Sequence, residues 1–224
     1  MKWGEHLKKI VIIGAGAAGL KAAISANFKY KGSAEITVLE KNERPARKVM
    51  ITGKGRCNVT NNCDMDTLIS SVPKNGRFLY SAFSAFTPQD VMTYFETMGV
   101  PLKTERGNRV FPVSDKAVDI VDALVKNVKA VGAKIINAKA EEILVENGAV
   151  TGVKLNDGQV IPADSVILAT GGMSYPLTGS TGDGYKMAKK LGHTVTELKP
   201  SLVPLTIHEG FCTHLSGLSL KNVT

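Results

Sequence analysis

Apolar and polar residues follow two different rhythms along this chain. Lys9-Ile-Val-Ile-Ile13 is a short unbroken run of β-branched residues, the composition of a strand buried on both faces of a parallel sheet. Gly14-Ala-Gly-Ala-Ala-Gly19 follows, and the small and apolar residues from Ala17 to about Asn27 predict a helix. Glu35-Ile-Thr-Val-Leu39 predicts a second buried strand, closed by Glu40. Together these make a βαβ unit of about thirty residues. Residues 62–112 read as an α-rich excursion. Within it, Thr87-Pro-Gln-Asp90 supplies an N-cap, a proline at the first helical position and an acid in the first turn. That helix should run to Met98, with Gly99 as its stop.

Asp115 to Val131 carries Val118, Val121, Leu124, Val125 and Val128 at helical spacing, with Gly132 behind them. Lys134 to Ile136 predicts a third parallel strand. From there the period falls to two. Glu142 to Glu146, the turn Asn147-Gly148, Val150 to Leu155, the turn Asn156-Asp157-Gly158 and Gln159-Val-Ile161 read as an antiparallel meander. Ser165-Val-Ile-Leu-Ala169 returns to buried-strand composition and runs into Gly171-Gly172. Tyr185 to Leu191 predicts a short helix closed by Gly192. Beyond it, Val203 to Ile207 and Leu218 to Val223 are strand-like fragments with no partner or closing element, so a longer protein is expected.

Composition narrows the classes. At 224 residues the chain suits one large domain or one and a half. With 43% hydrophobic and 21% charged residues, wholesale disorder is excluded. The longest apolar stretch, Ile10 to Leu20, is interrupted by three glycines and falls short of the ~20 residues of a membrane helix. It also ends in glycines rather than a cleavage site, so neither a membrane contact nor a signal peptide is expected. Three cysteines, Cys57, Cys63 and Cys212, form no CxxC pair, which fits a reducing cytoplasm. The net charge of +8 lies wholly in residues 1–112, which hold 17 Lys and Arg against 9 Asp and Glu. Six bases (Lys41, Arg44, Arg47, Lys48, Lys54, Arg56) sit between Lys41 and Arg56 with a single acid, Glu43. A cluster of that kind is a solvated face or an anion site. Nucleic-acid binding is disfavoured, since no recognised module and no interleaved aromatics accompany it.

The glycine pattern gains its meaning from context: a strand before, a helix after, and an acid closing the second strand. Gly14 permits the tight turn, Gly16 lets the backbone approach a pyrophosphate, and Gly19 lets helix and strand pack closely. The helix N-terminus, at Ala17 and Ala18, offers free N–H groups and partial positive charge to phosphates. Glu40 lies 21 residues past Gly19, where a carboxylate can accept both ribose hydroxyls. An acid there argues against a 2′-phosphate, hence against NADP in this pocket. The basic cluster continues as Met50-Ile-Thr-Gly-Lys-Gly-Arg-Cys-Asn-Val-Thr-Asn61. An ordinary surface loop explains Asn61-Asn62 well and Gly53-Lys-Gly-Arg-Cys-Asn58 badly, because glycine costs backbone entropy unless close approach is needed.

Ala46-Arg-Lys-Val-Met-Ile-Thr-Gly-Lys-Gly-Arg-Cys-Asn-Val-Thr-Asn61 resembles the signature of a family of bacterial FAD flavoproteins. The family is often labelled NAD(FAD)-utilizing dehydrogenases and includes aminoacetone-oxidase-like and bile-acid-intermediate-reductase-like members. Arg109-Val-Phe-Pro112 with Ser114-Asp-Lys-Ala117 is similar to a second family segment. Ala169-Thr-Gly-Gly-Met-Ser-Tyr-Pro176 with Thr178-Gly-Ser-Thr-Gly-Asp-Gly-Tyr185 is similar to a third, and Pro200-Ser-Leu-Val-Pro-Leu205 to a fourth. The resemblance covers nearly the whole chain. It implies an α/β, glutathione-reductase-like FAD-binding Rossmann domain with an antiparallel β-meander over residues 1–204, and the start of an inserted second domain over 205–224. It implies that Gly14, Gly16, Ala17, Ala18, Gly19 and Glu40, with Lys41 beside it, hold the ADP half of FAD. Arg47, Lys48 and the stretch Thr52, Gly53, Gly55, Arg56, Cys57, Asn58 would follow the pyrophosphate and ribityl chain toward the flavin. The backbone near Ala140 would meet the adenine. Ala169, Thr170 and Gly171 would close over the dinucleotide, and Thr181, Gly182 and Asp183 would present a helix N-terminus. In the family a C-terminal segment returns to complete the flavin pocket. The 224 residues alone are therefore expected to bind the ADP half weakly and to show no turnover.

Other residues carry less. Cys57 has no partner at CxxC spacing and reads as a packed small residue rather than a redox thiol. His208 and His214 flank Cys212 without metal spacing, so no metal is expected. His193 reads as a helix-end residue, and Asp183 as a turn or cap residue rather than a base. Arg109 is either a substrate-facing cation or half of a salt bridge on a hairpin. Two functional classes follow. One is a flavoprotein oxidoreductase acting on a small molecule, the flavin its redox centre, exchanging electrons with NAD(P)H or O2. The other is a non-catalytic dinucleotide-binding module or a relative of RNA-modifying flavoproteins. No second GxGxxG stands in the sequence, so NAD(P)H would bind only transiently or elsewhere.

Overall fold

The computed structural model describes residues 7–200, 202, 208–215, 217 and 218. By contacts the chain divides into two units, one ending at His193 and one beginning at Thr194. The expected boundary near residue 205 and the fragment Val203 to Ile207 lie outside the described residues, as does nearly all of Leu218 to Val223. In the second unit the described regular element is a one-turn helix, Phe211–His214.

The first unit is built on a parallel sheet of four strands: β1 (Lys8–Ile13), β2 (Ala34–Glu40), β6 (Lys134–Asn137) and β10 (Ser165–Leu168), in the order β10-β1-β2-β6. The registers pair Ile10 with Ser165 and Ile36, and Leu39 with Ile136. Alternate residues of the central strands feed two separate cores. Ile10, Ile12, Ile36 and Val38 pack with α1 (Ala17–Lys29) and with the long helix Ala117–Ala130, through Leu20, Ile24, Ile120 and Leu124. Val11, Ile13 and Leu39 pack against the meander, through Ile143, Val153 and Leu155. This burial on both faces is why β1 and β2 read as unbroken apolar runs; β10 has the same composition but lies at the sheet edge and leaves Ile167 and Leu168 exposed, so the buried-strand reading fails there. Ile12 is wholly buried, so Ile12→Ala would cost about 2–5 kcal/mol.

The meander is β7 (Ala140–Glu146), β8 (Ala149–Leu155) and β9 (Val160–Pro162), antiparallel throughout, with the first turn at Asn147 and Gly148, both at positive φ. The excursion between residues 60 and 112 holds the expected helix Pro88–Thr97, whose capping box joins Thr87 and Asp90. It also holds a small antiparallel sheet that hydrophobic periodicity does not reveal: β3 (Thr60–Asn61), β4 (Leu102–Glu105) and β5 (Arg109–Pro112), in the order β3-β5-β4. Strands of two to four residues are too short to show a period. This one buries Val110, Phe111 and Pro112 of β5, turns through left-handed backbone at Gly107 and Asn108, and carries a network of ion pairs. Arg56 pairs with Glu105 and with Asp115 at 2.6 Å, while Lys103 reaches Asp115 at 2.7 Å.

Candidate functional site

The carboxyl ends of β1, β2 and β10 open onto one cleft of about 700 Å³, within the usual size of a cofactor site. Its floor is the turn after β1. Gly14 sits at φ +105°, and a Cβ there would lie 2.5 Å from the Ala169 carbonyl oxygen. Gly19 packs α1 onto the same turn, since its Cβ would fall 1.8 Å from the Gly14 oxygen. Gly16 differs from both. It is the N-cap of α1, no side chain caps the helix, and nothing lies within 4 Å of where its Cβ would be. The first-turn N–H groups of a helix lack intrahelical partners, and here Gly16, Ala17 and Ala18 line the cleft. The protein itself gives no packing reason for a glycine at 16; a ligand against the backbone does.

Glu40 ends β2 and is 8% exposed. Its Oε2 accepts from the Ala15 N–H at 3.0 Å. Its Oε1 accepts from both the backbone N–H and the side-chain amide of Asn42, at 2.9 and 2.6 Å. Asn42 is a residue the sequence reading missed, and its amide oxygen in turn accepts from Arg47 at 3.3 Å. Lys41 crosses the cleft mouth to Thr181 Oγ1 at 2.6 Å and to Asp183 Oδ2 at 2.7 Å. That hydrogen bond from Lys41, helped by Thr181, holds the Asp183 carboxyl below the usual carboxylate range. Lys48 donates to Ser174 Oγ at 2.7 Å and lies over the Tyr175 ring. The segment carrying Arg47 and Lys48 is docked by the Ala46 N–H, which donates to the Ala15 carbonyl at 2.8 Å.

Of the residues expected at the site, Gly14, Gly16, Ala17, Ala18, Glu40, Lys41, Arg47, Lys48, Thr52, Ala140, Ala169, Thr170, Gly171 and Asp183 line this cleft. Gly19 lies beneath it, and Thr181 meets it through Lys41. Gly182 is the left-handed N-cap of the helix Asp183–Lys190. Gly53, Gly55, Arg56, Cys57 and Asn58 stand outside the lining. Left-handed backbone at Gly53, Lys54, Gly55 and Cys57 coils this loop tightly. A Cβ on Gly53 would press to 2.9 Å from the Asn58 nitrogen and 3.0 Å from the Phe111 ring. The Arg56 guanidinium stacks 4.0 Å from the Phe111 ring centre while bridging Glu105 and Asp115. Cys57 is buried, and burial raises its thiol pKa, with a hydrogen bond to Thr52 opposing. Arg109 donates to the Arg106 carbonyl at 3.1 Å and leans over Phe111. Lys139, Ala138, Ser180 and Tyr185 also line the cleft. Only long-range pairing places them there. Among the described residues no group of three His, Cys, Asp or Glu could hold a metal, and no helix is long and apolar enough to cross a membrane.

A parallel sheet, a glycine turn feeding a helix N-terminus and an acid closing the second strand define the class of this chain, an α/β FAD-binding Rossmann domain. The chain belongs to the HI0933-like protein Rossmann domain family, which matches residues 8–224. It is 35% identical over 202 residues to the 3-dehydro-bile acid delta(4,6)-reductase of Clostridium scindens, covering 90% of this chain and 48% of that protein. It is 30% identical over 211 residues to the ribosomal RNA dihydrouridine synthase of Escherichia coli, covering 93% and 50%. The Haemophilus influenzae protein of the same name is 32% identical over 216 residues, covering 94% and 52%. The chain thus spans about half the length of these curated relatives. FAD is the cofactor of this fold. The open backbone at Gly16 and the buried acid at Glu40 fit its pyrophosphate and ribose.

Proposed function

We propose that this chain is the cofactor-holding part of an FAD-dependent oxidoreductase acting on a small molecule. The observation that carries the reading is Gly16: open space above a helix N-terminus, opposite a buried carboxylate in a cleft of cofactor size. The pyrophosphate would rest on the N–H groups of Gly16, Ala17 and Ala18, with Arg47 and Lys48 neutralising it. Glu40 would take the ribose, and the Lys41–Asp183 pair would close the mouth beside Ala140. Ala169, Thr170 and Gly171 would cover the dinucleotide. Arg56 would serve by fixing the loop from Gly53 to Asn58 against Phe111. When bound, the isoalloxazine supplies two-electron redox chemistry; the protein orients it and shields it from water.

The Clostridium scindens relative is named for a bile acid, a small molecule, which agrees with this reading. The two relatives named for ribosomal RNA favour a nucleic-acid substrate instead. Against that, two of the six clustered bases are already paired with carboxylates, Lys41 with Asp183 and Arg56 with Glu105 and Asp115. Electrons would pass from or to NAD(P)H, bound transiently, or O2, and the three free cysteines suit a reducing cytoplasm. Flavin-fluorescence quenching on titrating FAD into the protein tests the reading. Glu40→Ala should weaken FAD by about 1.5–3 kcal/mol, the worth of a charged acceptor. Neutralising Arg47 and Lys48 should lower FAD affinity while moving heparin elution only slightly. A large heparin or tRNA effect with intact FAD binding would reverse the assignment in favour of nucleic acid.

A further inference from the structure

The Glu40 carboxylate is less free than its place in the sequence implies. A carboxylate offers about four acceptor positions, two on each oxygen. Both positions on Oε1 are taken by Asn42, through its backbone N–H at 2.9 Å and its side-chain nitrogen at 2.6 Å. One position on Oε2 is taken by the Ala15 N–H at 3.0 Å. A single acceptor position remains, on Oε2.

Nor is Asn42 poised to swing aside. Its side-chain nitrogen also faces the Thr178 carbonyl at 3.4 Å, and its oxygen accepts from Arg47 at 3.3 Å. Its backbone carbonyl accepts from the Asn137 amide at 2.6 Å. A Cβ on Gly179 would stand only 2.5 Å from the Asn42 side-chain nitrogen. The turn after β10 therefore closes directly over this amide, and Gly179 is what lets it do so. Asn42 ties together the end of β2, the helix start at Arg47 and the Thr178–Gly179 turn.

We infer that Asn42 is a positioning residue that saturates one oxygen of Glu40, so that the site reads one ribose hydroxyl of an adenosine diphosphate group rather than two. This rests on the reading that the ADP half of FAD lies at Glu40. It goes beyond that reading in naming which oxygen is available, what holds it and how many hydroxyls count.

The test is competition of ADP, 2′-deoxy-ADP and 3′-deoxy-ADP against FAD on the full chain, followed by flavin fluorescence. One deoxy analogue should compete at least about tenfold more weakly than ADP, the worth of one hydrogen bond to a charged acceptor. The other should compete within about twofold of ADP. Asn42→Ala removes the side-chain donor and opens one position on Oε1, the backbone N–H of residue 42 keeping the other, so discrimination between the two analogues should shrink, with both hydroxyls now contributing. Asn42→Ser, which keeps a polar side chain and asks less of the fold, should shift the ratio the same way. A merely structural role would lower affinity for all three nucleotides alike and leave the ratio unchanged. Equal losses for both deoxy analogues on the unaltered protein would overturn the single-hydroxyl inference and leave the FAD reading standing. Failure of FAD to bind, or of ADP to compete with it, would remove that reading and this inference together.

Discussion

Two glycines three residues apart should respond oppositely to the same added methyl group. At Gly16 the backbone lies at φ −77° and ψ −175°, which alanine adopts freely, and no atom stands within 4 Å of the new Cβ. Alanine is a poorer N-cap than glycine by some tenths of a kcal/mol, but it restricts the unfolded chain by a similar amount. Stability should change by less than about 1 kcal/mol. At Gly19 the new Cβ falls 1.8 Å from the Gly14 oxygen, a backbone atom that cannot rotate away. Alanine's helix propensity would return about 1 kcal/mol, short of the cost of overpacking, typically about 1–3 kcal/mol and at or above the upper end here because the opposing atom is backbone. At 2–4 °C per kcal/mol for a chain of this size, Gly19→Ala should lower Tm by roughly 4–10 °C. Calorimetry gives Tm for both variants, and flavin-fluorescence titration gives FAD affinity. Gly16→Ala should keep its Tm and lose FAD affinity; Gly19→Ala should lose Tm first. Full FAD affinity in a stable Gly16→Ala would refute the placement of the pyrophosphate on that backbone.

Thiol titration of the native protein should show fast reaction at Cys63 and Cys212, with Cys57 reacting only after denaturation, because burial both shields it and raises its pKa. Three fast thiols would contradict the packing of the loop against Phe111. Thr87→Ala removes the side-chain half of the capping box on the helix Pro88–Thr97, leaving the backbone N–H of residue 87 on Asp90, and should cost about 1 kcal/mol, read as a Tm drop of a few degrees. Glu105 and Asp115 are both held below the usual carboxylate range, Glu105 chiefly by Arg56 and Asp115 chiefly by Lys103 and then Arg56. A depressed native pKa gives stability that is complete above the unfolded values near pH 4 and is lost as pH falls through the native ones. The Tm gap between the protein and Arg56→Met should therefore be larger at pH 7 than at pH 3, and a gap independent of pH would show that Arg56 acts by stacking on Phe111 alone.

The parallel sheet was legible because Ile10, Ile12, Ile36 and Val38 face one core while Val11, Ile13 and Leu39 face another. Such strands can only be apolar throughout. The meander was legible from its alternation and its Asn147-Gly148 turn, and the helix at Pro88 from its cap. The small sheet β3-β5-β4 was not, since strands of two to four residues are too short to show a period and the ties of Arg56 to Glu105 and Asp115 bridge 49 and 59 residues. Asn42 illustrates the same boundary. Its spacing from Glu40 shows in the sequence, but its tie to Thr178 bridges 136 residues. Asp183 read as a turn or cap residue, and it does open a helix; its ion pair with Lys41 bridges 142 residues and leaves no local mark.

The wall behind Gly14 has a consequence for synthesis. That turn is shaped against the Ala169 carbonyl, and β1 pairs with β10 at residues 165–168. On the ribosome, residue 14 is made some 155 residues before its support exists. At ordinary elongation speeds that interval is roughly 8–30 s. During it, β1 can pair only with β2, and the glycine turn has an open back. The nascent chain thus carries its most recognisable motif long before the motif has a defined shape, and cofactor capture must wait for the strand that arrives last in the sheet.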